Sequence, residues 1–95
     1  MSAYLVVLLE LENPDWVKDY LANVPDIMRK FGGEYAIVSK KVTRLEGEGN
    51  TPSQIALVKF PSTEVIEEFL SSAEYEPYAK ARIAGSYSDF FAIET

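Results

Sequence analysis

Tyr4-Leu5-Val6-Val7-Leu8-Leu9-Glu10-Leu11-Glu12, running into Asn13-Pro14-Asp15, decides the fold of this chain. Alternate residues of a strand point to opposite faces, and here both sets, Leu5/Val7/Leu9/Leu11 and Tyr4/Val6/Leu8, are apolar until the glutamates. Such a strand requires cover on both sides. Asn13 as an N-cap, Pro14 in the first helical turn and the acid at position 15 then start a helix.

Outward from there, Trp16, Val17, Tyr20, Leu21, Val24, Ile27, Met28 and Phe31 recur at steps of three and four, which predicts one amphipathic helix. Pro25 inside it predicts a kink, or a break with Asn23 capping a second segment. Gly32-Gly33 closes the helix with a left-handed cap. Residues 34–44 are expected to form a long strand and 53–60 its hairpin partner, joined by the acidic, flexible loop 46–52. Ser62 caps the next helix, Ser71-Ser72 interrupts it, Gly85 ends its second segment, and residues 86–94 form the last strand.

The order strand, helix, strand, strand, helix, strand predicts an α+β, ferredoxin-like βαββαβ domain over residues 1–95. Its four-stranded antiparallel sheet carries both helices on one face. The other face has no helix left to cover it. Yet each strand offers apolar residues in both sets: Ala36/Val38/Val42 against Tyr35/Ile37, Ile55/Leu57 against Ala56/Val58/Phe60, Phe90/Ala92 against Tyr87/Phe91/Ile93. A patch of that size is rarely left wet, so packing of the sheet against an identical subunit is expected.

With 47% hydrophobic and 25% charged residues in 95, the chain fits one globular domain and has no room for a second core. A net charge of −6 repels polyanions, so neither nucleic acid nor an anionic membrane is an expected partner. No basic stretch with an apolar run opens the sequence, and Leu5–Leu9 is too short to span a bilayer, so a cytoplasmic protein is expected. Cysteine and histidine are both absent, which removes thiol nucleophiles, imidazole bases and Cys/His metal sites. No cofactor and no metal is expected.

Tyr20, Gly32-Gly33, Glu46-Gly47, Val58-Lys59-Phe60-Pro61-Ser62, Ser72-Ala73-Glu74-Tyr75 and Arg82, in this order and spacing, resemble the domain of unknown function 1330 (DUF1330). The resemblance spans nearly the whole chain. It implies a dimeric α/β barrel, in which two ferredoxin-like subunits pack their sheets together. Two features depart from the family's pattern: Phe69-Leu70 stands where an aromatic pair is usual, and Glu34 replaces a basic residue.

Arg82 is the most informative polar residue, because it shares a helical stripe with Tyr75, Tyr78 and Ala79. Two accounts are open. Its guanidinium holds a small carboxylate or phosphate in the cleft between helices and sheet, with hydroxyls from Tyr20 and Tyr75 and a wall from Trp16. Or it forms a structural ion pair, to Glu74 or Glu94, or reaches water along its stem. Tyr20 and Tyr75 have the corresponding alternative of core packing with a satisfied hydroxyl. Adjacent Lys40 and Lys41 point to opposite faces, so at most one enters the cleft. Glu46, Glu48 and Asn50 match no calcium loop and are expected to be solvated. Glu74 and Glu76 diverge across a helix start.

Three functions fit: a homodimer binding a small organic metabolite, neutral or anionic, in the helix–sheet cleft; a cofactor-free monooxygenase- or isomerase-like enzyme acting on a small aromatic or lactone-type substrate; and a structural or interaction dimer.

Overall fold

The computed structural model describes residues 2–95. Strand β1 (Ala3–Leu11) leads through the short helix α1 (Pro14–Trp16), a 3-10 turn, into α2 (Val17–Lys30). Strands β2 (Glu34–Ser39) and β3 (Gln54–Phe60), helices α3 (Thr63–Leu70) and α4 (Glu76–Gly85), and strand β4 (Ser86–Glu94) follow. The sheet is antiparallel in the order β2-β3-β1-β4, the ferredoxin-like arrangement expected from the element order.

Local chemistry sets the element ends. The Asn13 side chain accepts the Asp15 N–H at 2.9 Å, starting the 3-10 turn that feeds α2. Pro25 does not break α2, and the Asn23 side chain donates back to the Asp19 carbonyl at 2.9 Å instead of capping a new segment. The bond that proline removes falls at the exposed turn of Leu21, where the loss is small. At the C-terminus Gly33 N–H bonds Met28 O and Gly32 N–H bonds Arg29 O, with Gly32 at φ 80°. This is the Schellman arrangement, which needs a left-handed residue at that position. Ser62 accepts the Val65 N–H and caps α3.

Burial alternates along β1: Ala3, Leu5, Val7 and Leu9 are buried beneath the helices, while Tyr4, Val6 and Leu8 on the other face are half-exposed. The core joins the β1 set to Val24, Ile27 and Met28 of α2, Ala56, Val58 and Phe60 of β3, Ile66 and Phe69 of α3, and Tyr75. Phe69 is its hub, with Tyr75 at 4.5 Å, Phe60 at 5.7 Å and Phe31 at 5.9 Å between ring centroids.

Two expectations for the hairpin need correction. The strand expected over residues 34–44 ends at Ser39, whose hydroxyl accepts the Lys41 N–H and turns the chain away. Strict alternation also fails. A bulge between Tyr35 and Ile37 places Tyr35 opposite Val58 and Val38 opposite Ala56, so these two share the helix side while Ile37, opposite Leu57, faces outward.

Candidate functional site

Helix α2 and the inner faces of β1, β2 and β3 enclose an elongated cleft of about 390 Å³. Trp16, Tyr20 and Leu21 form its helix side, Leu9, Val38 and Ala56 its floor, and Tyr35, Lys40, Ser53 and Arg82 its polar points. A second, more open groove of about 780 Å³ lies between α4 and β4, lined by Leu70, Ala79, Ile83, Tyr87 and Phe90. Arg82 borders both, and Tyr75 is fully buried beside it.

The four residues expected from sequence therefore meet, but in distinct roles. Trp16 is fixed edge-on to Tyr20, with centroids 5.2 Å apart, and its indole Nε1 donates to the Gly85 carbonyl at 3.2 Å. The Tyr20 and Tyr75 hydroxyls are hydrogen-bonded at 2.7 Å. Tyr75 does not line the cleft; it stands behind Tyr20, and Arg82 Nε donates to its hydroxyl at 3.3 Å.

Arg82 pairs with neither carboxylate considered for it. Glu74 accepts Lys30 Nζ at 2.7 Å and Glu94 accepts the Thr63 hydroxyl at 2.6 Å. Among the described residues the ion pairs are Arg29–Asp26, Lys30–Glu74 and Lys80–Glu76, and Arg82 is in none. Its guanidinium donates to the Ser88 hydroxyl and lies 4.1 Å from the Phe90 ring centroid. These neutral contacts hold the cation in place and leave its charge without a carboxylate.

Sequence reasoning missed Tyr35, Ser88 and Phe90. Tyr35 was hidden by the bulge. Ser88 and Phe90 share one alternation set of β4, whose register with Leu9 and Val7 puts them on the helix side beneath Arg82. Of the lysine pair, Lys40 lines the cleft. Glu74 and Glu76 bind separate lysines, Lys30 and Lys80, and do not converge. The loop of Glu46, Glu48 and Asn50 folds around Arg44, which donates to the Gly49 and Asn50 carbonyls at 3.0 Å each. Glu34 pairs in register with Lys59 on the outer side of the sheet, away from the cleft.

Burial, reinforced by the neighbouring Tyr75, pushes the Tyr20 phenol far above its ordinary value, with Arg82 opposing weakly. Tyr35 is raised as well, again chiefly by burial and then by Tyr75. At neutral pH both are neutral hydroxyls, suited to donating hydrogen bonds and unsuited to removing protons. The cleft thus combines aromatic walls, neutral donors and two cations, Arg82 and Lys40, that belong to none of the ion pairs among the described residues.

Among solved structures, RPA0582 from Rhodopseudomonas palustris, a protein of unknown function, superposes with a TM-score of 0.85 at 14% identity, covering 99% of this chain and 82% of that one. A dimeric ferredoxin-like protein of unknown function from Jannaschia sp. CCS1 gives 0.73 at 13% identity, with both chains fully covered. SnoaB, a cofactor-independent oxygenase from Streptomyces nogalater, gives 0.69 at 14% identity, over 99% of this chain and 92% of that one. At these identities the likeness is one of fold. No curated protein matches the sequence. The family described as domain of unknown function (DUF1330) matches over residues 2–95, and the chain belongs to that family.

Proposed function

We propose that the protein is a cytoplasmic homodimer that binds a small organic ligand with an anionic oxygen in the helix–sheet cleft of each subunit. Trp16 and Tyr20 form the wall, Arg82 receives the charge, and Tyr75 holds the two polar groups together. The observation that carries this reading is Arg82 itself: a half-buried guanidinium, clamped by Tyr75, Ser88 and Phe90, with no carboxylate partner among the described residues. A partly desolvated cation held by neutral groups gains most from an incoming anion. The test is a thermal-shift screen of small carboxylic acids at neutral pH. A ligand at about 100 times its Kd adds roughly 2.7 kcal/mol, or more than about 10 °C for a domain of this size. No shift with any acid would overturn the reading.

Dimerisation is supported by the outer sheet face. Ile37 is 55% exposed, Phe91 56% and Ile93 50%, and they flank Val6, Leu8, Ile55 and Leu57 in one apolar surface. Proteins of the same fold are described as dimeric, including those from Jannaschia and from Bacteroides fragilis. Among the described residues no helix is long and apolar enough to cross a membrane.

A second reading is a cofactor-free monooxygenase- or isomerase-like enzyme on a small aromatic or lactone-type substrate, favoured by the likeness of fold to SnoaB and by the aromatic cleft. Arg82 and Tyr20 would then stabilise an enolate rather than a resting carboxylate. Turnover lost in Arg82→Ala and in Tyr20→Phe, with the fold intact, supports it; turnover unchanged in both rejects it.

A further inference from the structure

The hydrogen bonds around Tyr75 can run in only one direction. A guanidinium has donors and no acceptor, so the Arg82–Tyr75 contact fixes Tyr75 as the acceptor there. Tyr75 still has its own O–H proton to place. The residue is fully buried, which closes the route to water, and its only other hydroxyl contact among the described residues is Tyr20. The Tyr75 proton therefore goes to the Tyr20 oxygen. Tyr20 makes no other side-chain hydrogen bond among the described residues and is one of the residues lining the cleft, so its own proton is free for an acceptor there.

We propose that Arg82, Tyr75 and Tyr20 form a relay of fixed polarity that makes Tyr20 an obligatory donor into the cleft, selecting ligands that offer an acceptor oxygen, a carboxylate or an enolate, over amine or amide N–H groups. Each donation strengthens the next, because a phenol that accepts from a cation is a better donor itself. Arg82 and Tyr75 are positioning residues in this arrangement, and Tyr20 makes the contact. Tyr35 lines the same cleft as Tyr20. The ligand class rests on the cleft being a binding site; the direction of the relay does not.

Two measurements separate these levels. Proton NMR of the unliganded wild type reads the relay directly: the Tyr75 hydroxyl proton is expected to be slowed in exchange and to show a cross-peak to the Tyr20 ring, with the Tyr20 proton exchanging fast. A protected Tyr20 proton beside a freely exchanging Tyr75 proton overturns the relay. Calorimetry with phenylacetate reads the ligand class, with affinity expected to fall about ten-fold or more in Tyr20→Phe and ethylbenzene binding expected to stay the same. Equal phenylacetate affinity in wild type and Tyr20→Phe overturns the relay's role while the cleft remains a binding site. Phenylacetate failing to bind the wild type overturns the ligand class, whatever the NMR shows.

Discussion

The indole of Trp16 lies directly against the backbone of Gly85: Nε1 donates to the Gly85 carbonyl, and a Cβ at position 85 would stand 2.2 Å from Trp16 Cδ1. The Gly85 carbonyl also accepts the Glu12 and Asn13 N–H groups, so the end of α4 is tied to the start of α1. Glycine is required here by contact, since only its missing side chain lets the ring approach. Gly85→Ala should displace Trp16 and cost about 1–3 kcal/mol, the range for overpacking a filled site. Chemical denaturation of Gly85→Ala, Trp16→Ala and the double variant checks it. The double variant should cost less than the sum of the singles, because the clash exists only when both groups are present.

Arg82 should be separable into charge and shape. Arg82→Met keeps much of the apolar stem and loses the donors to Tyr75 and Ser88, so stability is expected to fall by about 1–2 kcal/mol. The rise in melting temperature produced by a bound acid should disappear. Arg82→Lys keeps the charge, yet an ammonium lacks the planar fork that reaches Tyr75 and Ser88 together, and it is expected to recover little of that rise. Thermal-shift curves of the three proteins with and without the acid decide it; full recovery in Arg82→Lys would reduce the residue to a point charge.

The raised phenol of Tyr20 makes a signed prediction for pH. In the unfolded chain tyrosine releases its proton near pH 10.0, while burial holds the proton on Tyr20 in the folded protein. The folded state then binds more protons above that pH. Its contribution is therefore fully present below pH 10 and lost as pH rises beyond it, at about 1.4 kcal/mol per pH unit for one proton. Tyr35 adds in the same direction. Urea denaturation between about pH 8 and 11.5 should show a falling alkaline limb that is shallower in Tyr20→Phe; identical slopes in the two proteins would refute it.

The architecture was legible because β1 carries apolar residues on both faces and because Asn13, Gly32 and Ser62 mark element ends through short-range chemistry; Gly85 ends α4 without a left-handed cap and is required instead by its contact with Trp16. Trp16, Tyr20 and Arg82 were legible as cleft residues for a similar reason, since helical periodicity fixes which face each occupies. The inner position of Tyr35 was not, because one extra residue in β2 reverses the faces beyond it and leaves no compositional mark. The partners of Arg82 were equally hidden: Ser88 and Phe90 are ordinary strand residues until the pairing of β4 with β1 places them beneath the guanidinium. Opposite charge alone does not bring Glu74 or Glu94 to Arg82: they bind Lys30 and Thr63 instead.

The outer sheet face gives the last prediction. Val6 stands opposite Leu57 on one side and Phe91 on the other, which makes this row the middle of the apolar surface. Phe91 is 56% exposed in the isolated subunit, so replacing it by glutamate removes few contacts within the subunit. Across a two-fold interface the same change places two carboxylates in a desolvated layer, where an unpaired charge costs several kcal/mol. Light scattering on the eluting protein should give twice the 10.7 kDa subunit mass for wild type and the single mass for Phe91→Glu. Lys59→Glu, on an exposed side chain nearer the sheet's end, should remain dimeric. Because the cleft lies on the opposite face, monomeric Phe91→Glu should still gain stability from a bound acid, whereas loss of both properties together would mean that dimerisation and the cleft are coupled through the sheet.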